Sequence, residues 1–483
     1  MVEVPLLIGG RNVPASDGTT FDRRDPVAGE VASRSAAAKA GDAVAAVDAA
    51  AAAFPAWSRT GPSERRAKLL RAADLLESRI GDFTERVRTE TGAPGHWAGF
   101  NVGLAANMLR EAASMTTQIS GEVIPSDVPG SLAMGVRQPV GVVVGMAPWN
   151  APVILCVRAV AMPLACGNTV VFKASETCPA THSLIGEVLV EAGLGDGVVN
   201  VLTHAAEDAP EVVEALIAHP AVRRVNFTGS TRVGRIIARL AAEHLKPVLL
   251  ELGGKAPLVV LDDADLDAAV DAVAFGALVN SGQVCMSTER VIIDERVADD
   301  FAAKLAAKVG ALPYGDPRRD DVVLGSVVGE ATVERMRRLL DDARSRGAKV
   351  LVGGEFDGTI MPGTVVDHVT PEMDLFREES FAPQVTITRT SSDDEAVELA
   401  NDTEYGLSAA VFGRDVPRAV GVARRIHSGI CHINGPTVHD EAQMPFGGVK
   451  GSGWGRFGGK AAVDEFTELR WITIQTGERH YPF

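Results

Sequence analysis

The sequence predicts an α/β protein built from two parallel-sheet domains plus a small β element. Three observations lead to this fold class. The chain has 483 residues, about three times a typical domain of roughly 150 residues. Short apolar runs begin at residues 140, 169, 198, 224 and 248, and the helix-like stretches between them give the period of repeated βαβ units. A second series of such runs follows and extends to residue 433.

The first 115 residues predict helices after a short strand-like entry. Asp42 is a suitable N-cap for an Ala-rich helix that runs to about Ala53, and Ser63 is suitable for a second, amphipathic helix. A third amphipathic helix is predicted at about 97–116, and one of its faces carries Trp97, Phe100, Asn101, Leu104 and Met108. From spacing alone, core packing is the simpler interpretation of this face.

The two apolar series predict the two sheets. The first consists of VGVVVGM, TVVF, VVNVL, RVNFT and VLLE, and the second of PLVVL, RVII, KVLV, QVTIT, SAAVF and ICHI. Continuous rather than alternating apolar runs are typical of parallel strands that helices cover on both faces. The change from one series to the other places the join near residues 253–254.

The end of the chain predicts a further strand, FTELRWITIQ from residue 466. A terminal strand beyond two complete domains often pairs with another subunit. We therefore predict a first domain at 1–116 and 139–252, a second domain at 253–446, and an assembly element at 117–138 and 463–483.

Composition excludes several classes of protein. The net charge is −16, and no long Lys/Arg run suggests a nucleic-acid-binding surface. No N-terminal secretory pattern and no apolar stretch of ~20 residues is present, which predicts a cytoplasmic protein without a membrane partner. Five cysteines without CxxC spacing give neither a complete disulfide framework nor a metal cluster.

A glycine-containing turn at 229–234 is the candidate phosphate loop. Its GSTRVG sequence has P-loop spacing, but Arg235 and Ile236 stand where a P-loop needs Lys and Ser/Thr. The remaining pattern of strand, turn and helix still presents backbone N–H groups to an anion such as a pyrophosphate. A purely structural turn explains the pattern equally well.

Two charged residues follow the strand at 169–172. Lys173 can donate to ribose hydroxyls and Glu176 can accept from them, because ligands bind at the carboxyl edge of parallel sheets. A solvated charge pair is the alternative. The carboxylate of Glu176 would repel a ribose 2′-phosphate, which favours NAD over NADP, although the neighbouring lysine weakens this preference.

Three residues suit thiol-based acyl chemistry. Cys285 lies in NSGQVCMS, Glu251 ends a predicted strand in LELGGK, and Asn150 ends the turn PWN. Each has a simple structural explanation when taken alone. Together they supply a nucleophilic thiolate, a general base and an amide N–H₂ for an oxyanion.

Seven ordered motifs resemble the aldehyde dehydrogenase superfamily. They are PWNAP, VVFKASE, FTGSTRVG, LELGGKAP, GQVCMSTER, EESFAP and MPFGGVKGSG, and the resemblance covers roughly residues 10–475. It implies a Rossmann-like cofactor domain followed by a catalytic domain, and self-association as a dimer or tetramer. It also implies Cys285 as nucleophile, Glu251 as base, and Asn150 with the Cys285 backbone N–H as oxyanion hole.

The resemblance also implies a set of cofactor contacts for NAD, with NADP as the alternative. Lys173 and Glu176 are expected at the adenosine ribose, and Glu379 with Phe381 at the nicotinamide side. The remaining expected cofactor contacts are Trp149, Gly229, Ser230, Thr231, Val233, Gly234 and Leu252.

By position, the family's substrate tunnel falls on seven residues of this chain, namely Trp97, Phe100, Leu104, Ala151, Arg158, Met286 and Phe446. Ala151 stands where many members have a bulky aromatic residue, which predicts a wider tunnel. Arg158 can bind a carboxylate or a phenol oxygen, or stack on a ring. The segment 429–446, the MSTER run and the ending RHYPF resemble the benzaldehyde-type branch of the family.

The predicted function is therefore the NAD(P)-dependent oxidation of aromatic aldehydes to carboxylic acids. Hydroxylated benzaldehydes are the expected substrates, with vanillin or a close relative favoured over salicylaldehyde. Succinate semialdehyde or another aliphatic aldehyde is the alternative, because the branch that oxidises succinate semialdehyde also has Arg at the position of Arg158. A non-catalytic structural homologue is a remote third possibility.

Overall fold

The structure is a computed structural model that describes residues 1–319 and 321–483. In it, the first apolar series forms the centre of an eight-stranded sheet. The strands lie in the spatial order Gly453–Trp454, Val248–Glu251, Val222–Thr228, Val142–Met146, Thr169–Lys173, Val199–Leu202, Leu6–Ile8 and Arg11–Val13. The five strands from Val248–Glu251 to Val199–Leu202 are parallel, and the outer strands pair antiparallel. Helices cover both faces, as continuous apolar strands require.

The second series forms a seven-stranded sheet. Its order is Lys349–Val352, Thr364–Asp367, Gln384–Thr390, Thr288–Asp294, Ala256–Val260, Ser408–Phe412 and Ile430–Ile433. The pairings are parallel except at the edge strand Lys349–Val352. The two-sheet α/β fold class predicted from the sequence is therefore confirmed.

Two three-stranded sheets complete the β structure. Val2–Val4, Val31–Ala36 and Thr20–Arg24 form one. Thr467–Gln475, Ser131–Pro139 and Glu122–Ile124 form the other, and all its pairings are antiparallel. The predicted terminal strand thus has its partner, Ser131–Pro139, within the same chain.

The helices alternate with the strands. They are Ala40–Trp57, Pro62–Ser78, Ile80–Thr91, Gly95–Met115, Pro152–Ala165, Pro179–Glu191, Ala209–Ala218, Thr231–Glu243, Leu266–Leu278, Glu295–Gly310, Glu330–Ser345, Asp374–Arg377, Asp393–Asn401, Val416–Ala423 and Gly459–Glu465. Short 3₁₀ turns occur at Ala206–Asp208, Val279–Gly282 and Lys450–Ser452. Within the described ranges, no helix combines the length and apolar character that crossing a membrane requires.

The N-terminal region differs from its prediction in two ways. Five strands precede residue 40 where one short entry was expected. Asp42 lies inside the first helix, and its carboxylate accepts the backbone N–H of Lys39 at 2.9 Å, which is the position-N3 role of a capping box. Pro62 begins the second helix after Gly61, so Ser63 is not its cap. The division into domains stays a prediction.

Candidate active site

An unusual backbone turn presents Cys285 just before the strand Thr288–Asp294. Asn280, Ser281 and Gly282 have φ values of 51°, 53° and 69°, so three consecutive residues are left-handed. Hydrogen bonds stabilise this conformation. The Gln283 side chain donates to Asn280 O at 3.2 Å and accepts from the Val328 N–H at 2.9 Å.

The same turn fixes Asn150. The side-chain amide of Asn150 donates to Gln283 O at 2.9 Å. Its backbone carbonyl accepts from Asn280 Nδ2 at 2.8 Å and from Trp97 Nε1 at 2.9 Å. An amide N–H₂ donor is therefore held rigidly beside the Cys285 segment, as an oxyanion site requires.

Glu251 ends the strand Val248–Glu251 and is only 1% exposed. Apart from the Cys285 thiol, no described residue donates a hydrogen bond to either of its carboxylate oxygens. Burial raises the pKa of Glu251 to about 7; the Arg158 charge opposes this shift and the Asp440 charge adds to it. A carboxylate with this pKa can take up and release a proton near neutral pH.

Cys285 is the one cysteine of the five that borders two cavities, one of about 320 Å³ and the other of about 390 Å³. Burial and the nearby Glu251 carboxylate raise the pKa of its thiol well above the usual range. Cys156, Cys166 and Cys178 are buried and Cys431 is exposed. All five are free thiols.

The first cavity has a volume of about 320 Å³. It is lined by Pro148, Trp149, Asn150, Leu155, Thr228, Gly229, Ser230, Glu251, Leu252, Gly253, Cys285, Val328, Thr332, Arg335, Glu379 and Phe381. All three predicted catalytic residues and six of the predicted cofactor residues are in this set. The structure thus brings these two groups together around one space.

The donors around the first cavity suit a dinucleotide. The helix Thr231–Glu243 begins at its edge, with Ser230 as N-cap, and such a helix end attracts a pyrophosphate. Glu379 accepts the Gly254 N–H at 2.9 Å and has an oxygen left for a ribose hydroxyl. The rings of Trp149 and Phe381 meet edge to face at 5.8 Å and offer apolar surface to a flat ring.

Five predicted cofactor residues lie outside this lining: Lys173, Glu176, Thr231, Val233 and Gly234. Lys173 ends the strand Thr169–Lys173 at the carboxyl edge of the sheet. Thr231 donates to Gly451 O at 3.1 Å instead. A Cβ on Gly234 would lie 2.4 Å from Leu252 Cδ2, so this glycine lets the helix approach the strand end.

Sequence reasoning missed Glu289, which positions the segment carrying Glu379 and Phe381. Its buried carboxylate accepts the backbone N–H groups of Ser380, at 2.8 and 3.0 Å, and of Phe381, at 3.1 Å. It also pairs with the fully buried ammonium of Lys255. Glu289 follows the MST triplet beside Cys285, but nothing in the sequence indicates its distant partners.

The second cavity lies on the other side of Cys285 and has a volume of about 390 Å³. All seven predicted substrate residues line it. The other lining residues are His96, Asn150, Ile154, Leu155, Phe275, Val279, Val284, Cys285, Pro436, Val438, His439 and Asp440. Trp97 and Phe100 stack at 5.4 Å between ring centroids, so this cavity has aromatic walls.

Arg158 forms an ion pair that the sequence did not predict. Its Nη2 donates to Asp440 Oδ2, and its guanidinium carbon lies 4.1 Å from the centroid of the Phe446 ring. The two charged residues are 282 positions apart, which explains why no local pattern indicated the pair. Across the described chain, no cluster of three His, Cys, Asp or Glu side chains has a metal-binding arrangement.

Comparison with known proteins adds three findings to this geometry. The sequence profile of the aldehyde dehydrogenase family matches residues 13–472. The chain is 64% identical to a vanillin dehydrogenase of Pseudomonas fluorescens and 50% identical to a salicylaldehyde dehydrogenase of Pseudomonas putida, with 100% of both chains covered in each case. A crystal structure of a salicylaldehyde dehydrogenase from Pseudomonas putida G7 complexed with salicylaldehyde superposes with a TM-score of 0.99, at 50% identity and 100% coverage of both chains.

Proposed function

The chain belongs to the aldehyde dehydrogenase family, and on this premise we propose that it oxidises hydroxylated benzaldehydes, vanillin foremost, to the corresponding benzoic acids. It is an enzyme of the NAD(P)-dependent aldehyde dehydrogenase type. The observation that carries the proposal is the position of Cys285 between two cavities. One suits a dinucleotide and the other suits an aromatic ring.

We infer that Cys285 is the nucleophile. Because burial and Glu251 raise the pKa of this thiol, the thiol first releases its proton to water. The thiolate then attacks the aldehyde carbon from the junction of the cavities, and the carbonyl oxygen becomes an oxyanion. The Asn150 amide and the Cys285 backbone N–H stabilise that charge. Asn150 is already oriented by its bond to Gln283 O, so little reorganisation accompanies the attack.

A nicotinamide cofactor held in the first cavity by Trp149, Glu379 and Phe381 would supply the acceptor for the hydride that leaves the reacting carbon. Loss of the hydride leaves the acyl group bound to Cys285 as a thioester. Trp149 and Phe381 border the space for the cofactor ring, and Glu379 lies beside them within the same lining. The Glu289 carboxylate keeps the Phe381 backbone in place.

Glu251 supplies the base for the last step. Its carboxylate takes a proton from a water molecule, which attacks the thioester and releases the acid. The raised pKa of Glu251, about 7, suits this role because a base of that strength is ionised at neutral pH and still basic enough to accept a proton. This base also favours hydrolysis over transfer of the acyl group to another thiol.

We propose NAD as the preferred cofactor. Burial raises the pKa of Glu176, but the Lys173 charge, a backbone hydrogen bond and the charges of His204 and Arg23 together outweigh this effect and leave the pKa below its ordinary value. The carboxylate is thus ionised at neutral pH. Next to the adenosine ribose, it would accept hydroxyl hydrogen bonds and repel a 2′-phosphate.

Substrate preference follows from the walls of the second cavity. Trp97, Phe446 and Met286 are nearly fully buried and present apolar surface, whereas Arg158 places a charged group among them. A flat ring with one polar substituent matches this combination. The Arg158 charge alone would also suit succinate semialdehyde, so that aldehyde is the alternative substrate to test.

A panel of aldehydes tests the proposal. NADH formation is measured with vanillin, 4-hydroxybenzaldehyde, salicylaldehyde, benzaldehyde and succinate semialdehyde at equal concentrations, with NAD and with NADP. We expect the highest kcat/KM for hydroxylated benzaldehydes with NAD. Glu176→Gln should lower the ratio of kcat/KM with NAD to kcat/KM with NADP. Equal or higher kcat/KM for succinate semialdehyde would overturn the aromatic assignment.

Cys285→Ala provides the control for the nucleophile. The variant removes only the thiol from a partly buried position, so the protein should fold and still bind cofactor. Its NADH formation should fall to background. Cys431→Ala changes an exposed thiol outside both cavities and should leave turnover unchanged.

A further inference from the structure

The ion pair between Arg158 and Asp440 lies at the wall of the substrate cavity. Both residues line the cavity of about 390 Å³. Their side chains are 5% and 10% exposed. A pair this deeply buried acts on a bound substrate with little screening by solvent.

The guanidinium of Arg158 is fixed in place. Its Nη2 donates to Asp440 Oδ2, and its flat face lies over the Phe446 ring, with Phe457 at 5.9 Å. The helix Pro152–Ala165, which carries Arg158, is buried along its whole length. Arg158 therefore has little freedom to swing toward a substrate carboxylate without leaving Asp440.

Asp440 cancels the charge that Arg158 brings to the cavity. Burial raises the pKa of Asp440, while the charge of Arg158 and its hydrogen bond oppose this rise and favour the ionised carboxylate. The other titratable groups of the lining are Cys285, His96 and His439. His439 hydrogen-bonds through Nε2 to Glu441 Oε1 at 2.9 Å. Because the two charges of the pair compensate each other, Arg158 adds no net charge to the second cavity.

Asp440 also retains unused hydrogen-bonding capacity. Its second oxygen, Oδ1, is buried and has no hydrogen-bond partner among the described residues. An unsatisfied buried acceptor is unfavourable, and a hydroxyl donor on a ring would relieve it. A carboxylate on a substrate would instead meet an acceptor and a like charge.

We propose that Asp440 is a specificity-determining residue: it neutralises Arg158 and so favours neutral, hydroxyl-bearing aldehydes over anionic ones. This inference rests on the proposed function and deepens it. It also explains how a chain with Arg at this position can differ from an enzyme that oxidises succinate semialdehyde. The presence of arginine at position 158 does not by itself determine the charge of the cavity.

The test compares two ring aldehydes that are alike in shape and differ in charge: 4-carboxybenzaldehyde, an anion, and 4-nitrobenzaldehyde, which is neutral. The measured quantity is the ratio of their kcat/KM values, anionic over neutral. Intrinsic reactivity differs between the two aldehydes, but it cancels when one ratio is compared between variants. Asp440→Asn should raise this ratio about tenfold or more, mainly through KM, because it leaves Arg158 unpaired.

Three further variants separate charge from structure. Arg158→Met leaves Asp440 as the uncompensated charge and should lower the ratio below that of the wild type. Arg158→Met combined with Asp440→Asn should return the ratio to near the wild-type value. Glu441→Gln removes the adjacent carboxylate, which pairs with His439 rather than Arg158, and should leave the ratio unchanged.

The outcomes distinguish this inference from the proposed function. If the wild type oxidises 4-nitrobenzaldehyde but Asp440→Asn and Arg158→Met leave the ratio unchanged, the role of Asp440 is wrong and the function stands. If Glu441→Gln raised the kcat/KM ratio as much as Asp440→Asn does, the proposed role of Asp440 would also be wrong. Loss of any nearby negative charge would then explain the increase. If the wild type oxidises no ring aldehyde, the proposed function itself fails. Activity on 4-nitrobenzaldehyde reports whether each variant is folded.

Discussion

At the residue scale, Glu251 links burial to chemistry. Its carboxylate lies next to Cys285 and has no hydrogen-bond partner other than that thiol, and burial raises its pKa from 4.5 to about 7. An unpartnered buried carboxylate is costly when it is ionised. It is also a stronger base than an exposed one, which is the property that thioester hydrolysis needs.

The first prediction concerns the step that Glu251 serves. Glu251→Gln should still form the thioester, giving a burst of about one NADH per active site, but steady-state turnover should fall by about 10²–10⁴-fold. Where hydrolysis limits the rate, wild-type turnover should rise with pH through about 7, as the carboxylate ionises. Stopped-flow measurement of NADH across pH checks both; a variant with no burst would place Glu251 before hydride transfer.

The second prediction concerns stability. Because the pKa of Glu251 is raised in the folded state, ionisation destabilises the fold: the penalty is absent below about pH 4.5, grows from there to about pH 7, and is complete above it. The shift corresponds to about 3 kcal/mol as an upper value. Glu251→Gln, which never ionises, should therefore unfold at a higher temperature than the wild type at about pH 8. If the difference in melting temperature between the variant and the wild type were equally large at about pH 5, ionisation of Glu251 would not be its cause.

The sequence was sufficient to identify residues that act within local motifs. Cys285, Glu251 and Asn150 each occupy a short recognisable segment, and the structure brings all three to one cavity. Asp440 and Glu289 were not identified, because their partners are distant in sequence. Arg158 is 282 positions from Asp440, and Ser380 is 91 positions from Glu289. Only the folded chain brings such charges together.

At the element scale, the turn before Cys285 depends on a close backbone approach. Gly282 has φ +69°, and a Cβ there would lie 2.0 Å from the carbonyl oxygen of Ala382. Ala382 directly follows Phe381 of the cofactor cavity. One glycine thus allows the nucleophile turn and the cofactor segment to touch.

The third prediction follows from this contact. Gly282→Ala should lower both kcat/KM and the melting temperature, because neither backbone can move without displacing Cys285 or Phe381. The matched control is Gly421→Ala in the helix Val416–Ala423, where a Cβ meets nothing within 4 Å. That change should raise stability by up to about 1 kcal/mol. Activity retained in Gly282→Ala would show that the turn is more tolerant than its geometry indicates.

The prediction of elements succeeded where strands are long, apolar and regularly spaced. All eleven apolar runs of the two series coincide with strands. Most of the strands that were missed are short, such as Arg11–Val13 and Thr20–Arg24, whose residues are exposed or half-buried. Ser131–Pro139 is longer, but seven of its nine residues are exposed or half-buried. These strands form because neighbouring strands offer hydrogen-bond partners, and their own sequences carry little β pattern.

At the scale of the whole molecule, one surface is left incomplete. The strand Thr467–Gln475 is at the edge of its three-stranded sheet. Leu469 and Trp471 lie two residues apart on one face of this strand and are 61% and 77% exposed. An apolar edge strand in water invites pairing with another chain. We propose that this sheet is the contact through which copies of the chain self-associate.

The last prediction tests that contact. Trp471→Glu places a charge on the exposed face of the strand and should reduce the molar mass in solution toward that of a single chain of 50.7 kDa, measured by light scattering after size exclusion. Val416→Glu is the matched control, since Val416 is also exposed, at 48%, but lies on a separate helix; it should leave the mass unchanged. Because the edge strand contains neither the nucleophile nor a cavity residue, the dissociated variant should keep its kcat for vanillin if each chain carries a complete site. A wild-type protein that is already monomeric, or a variant with unchanged mass, would show that the sheet edge is not the contact.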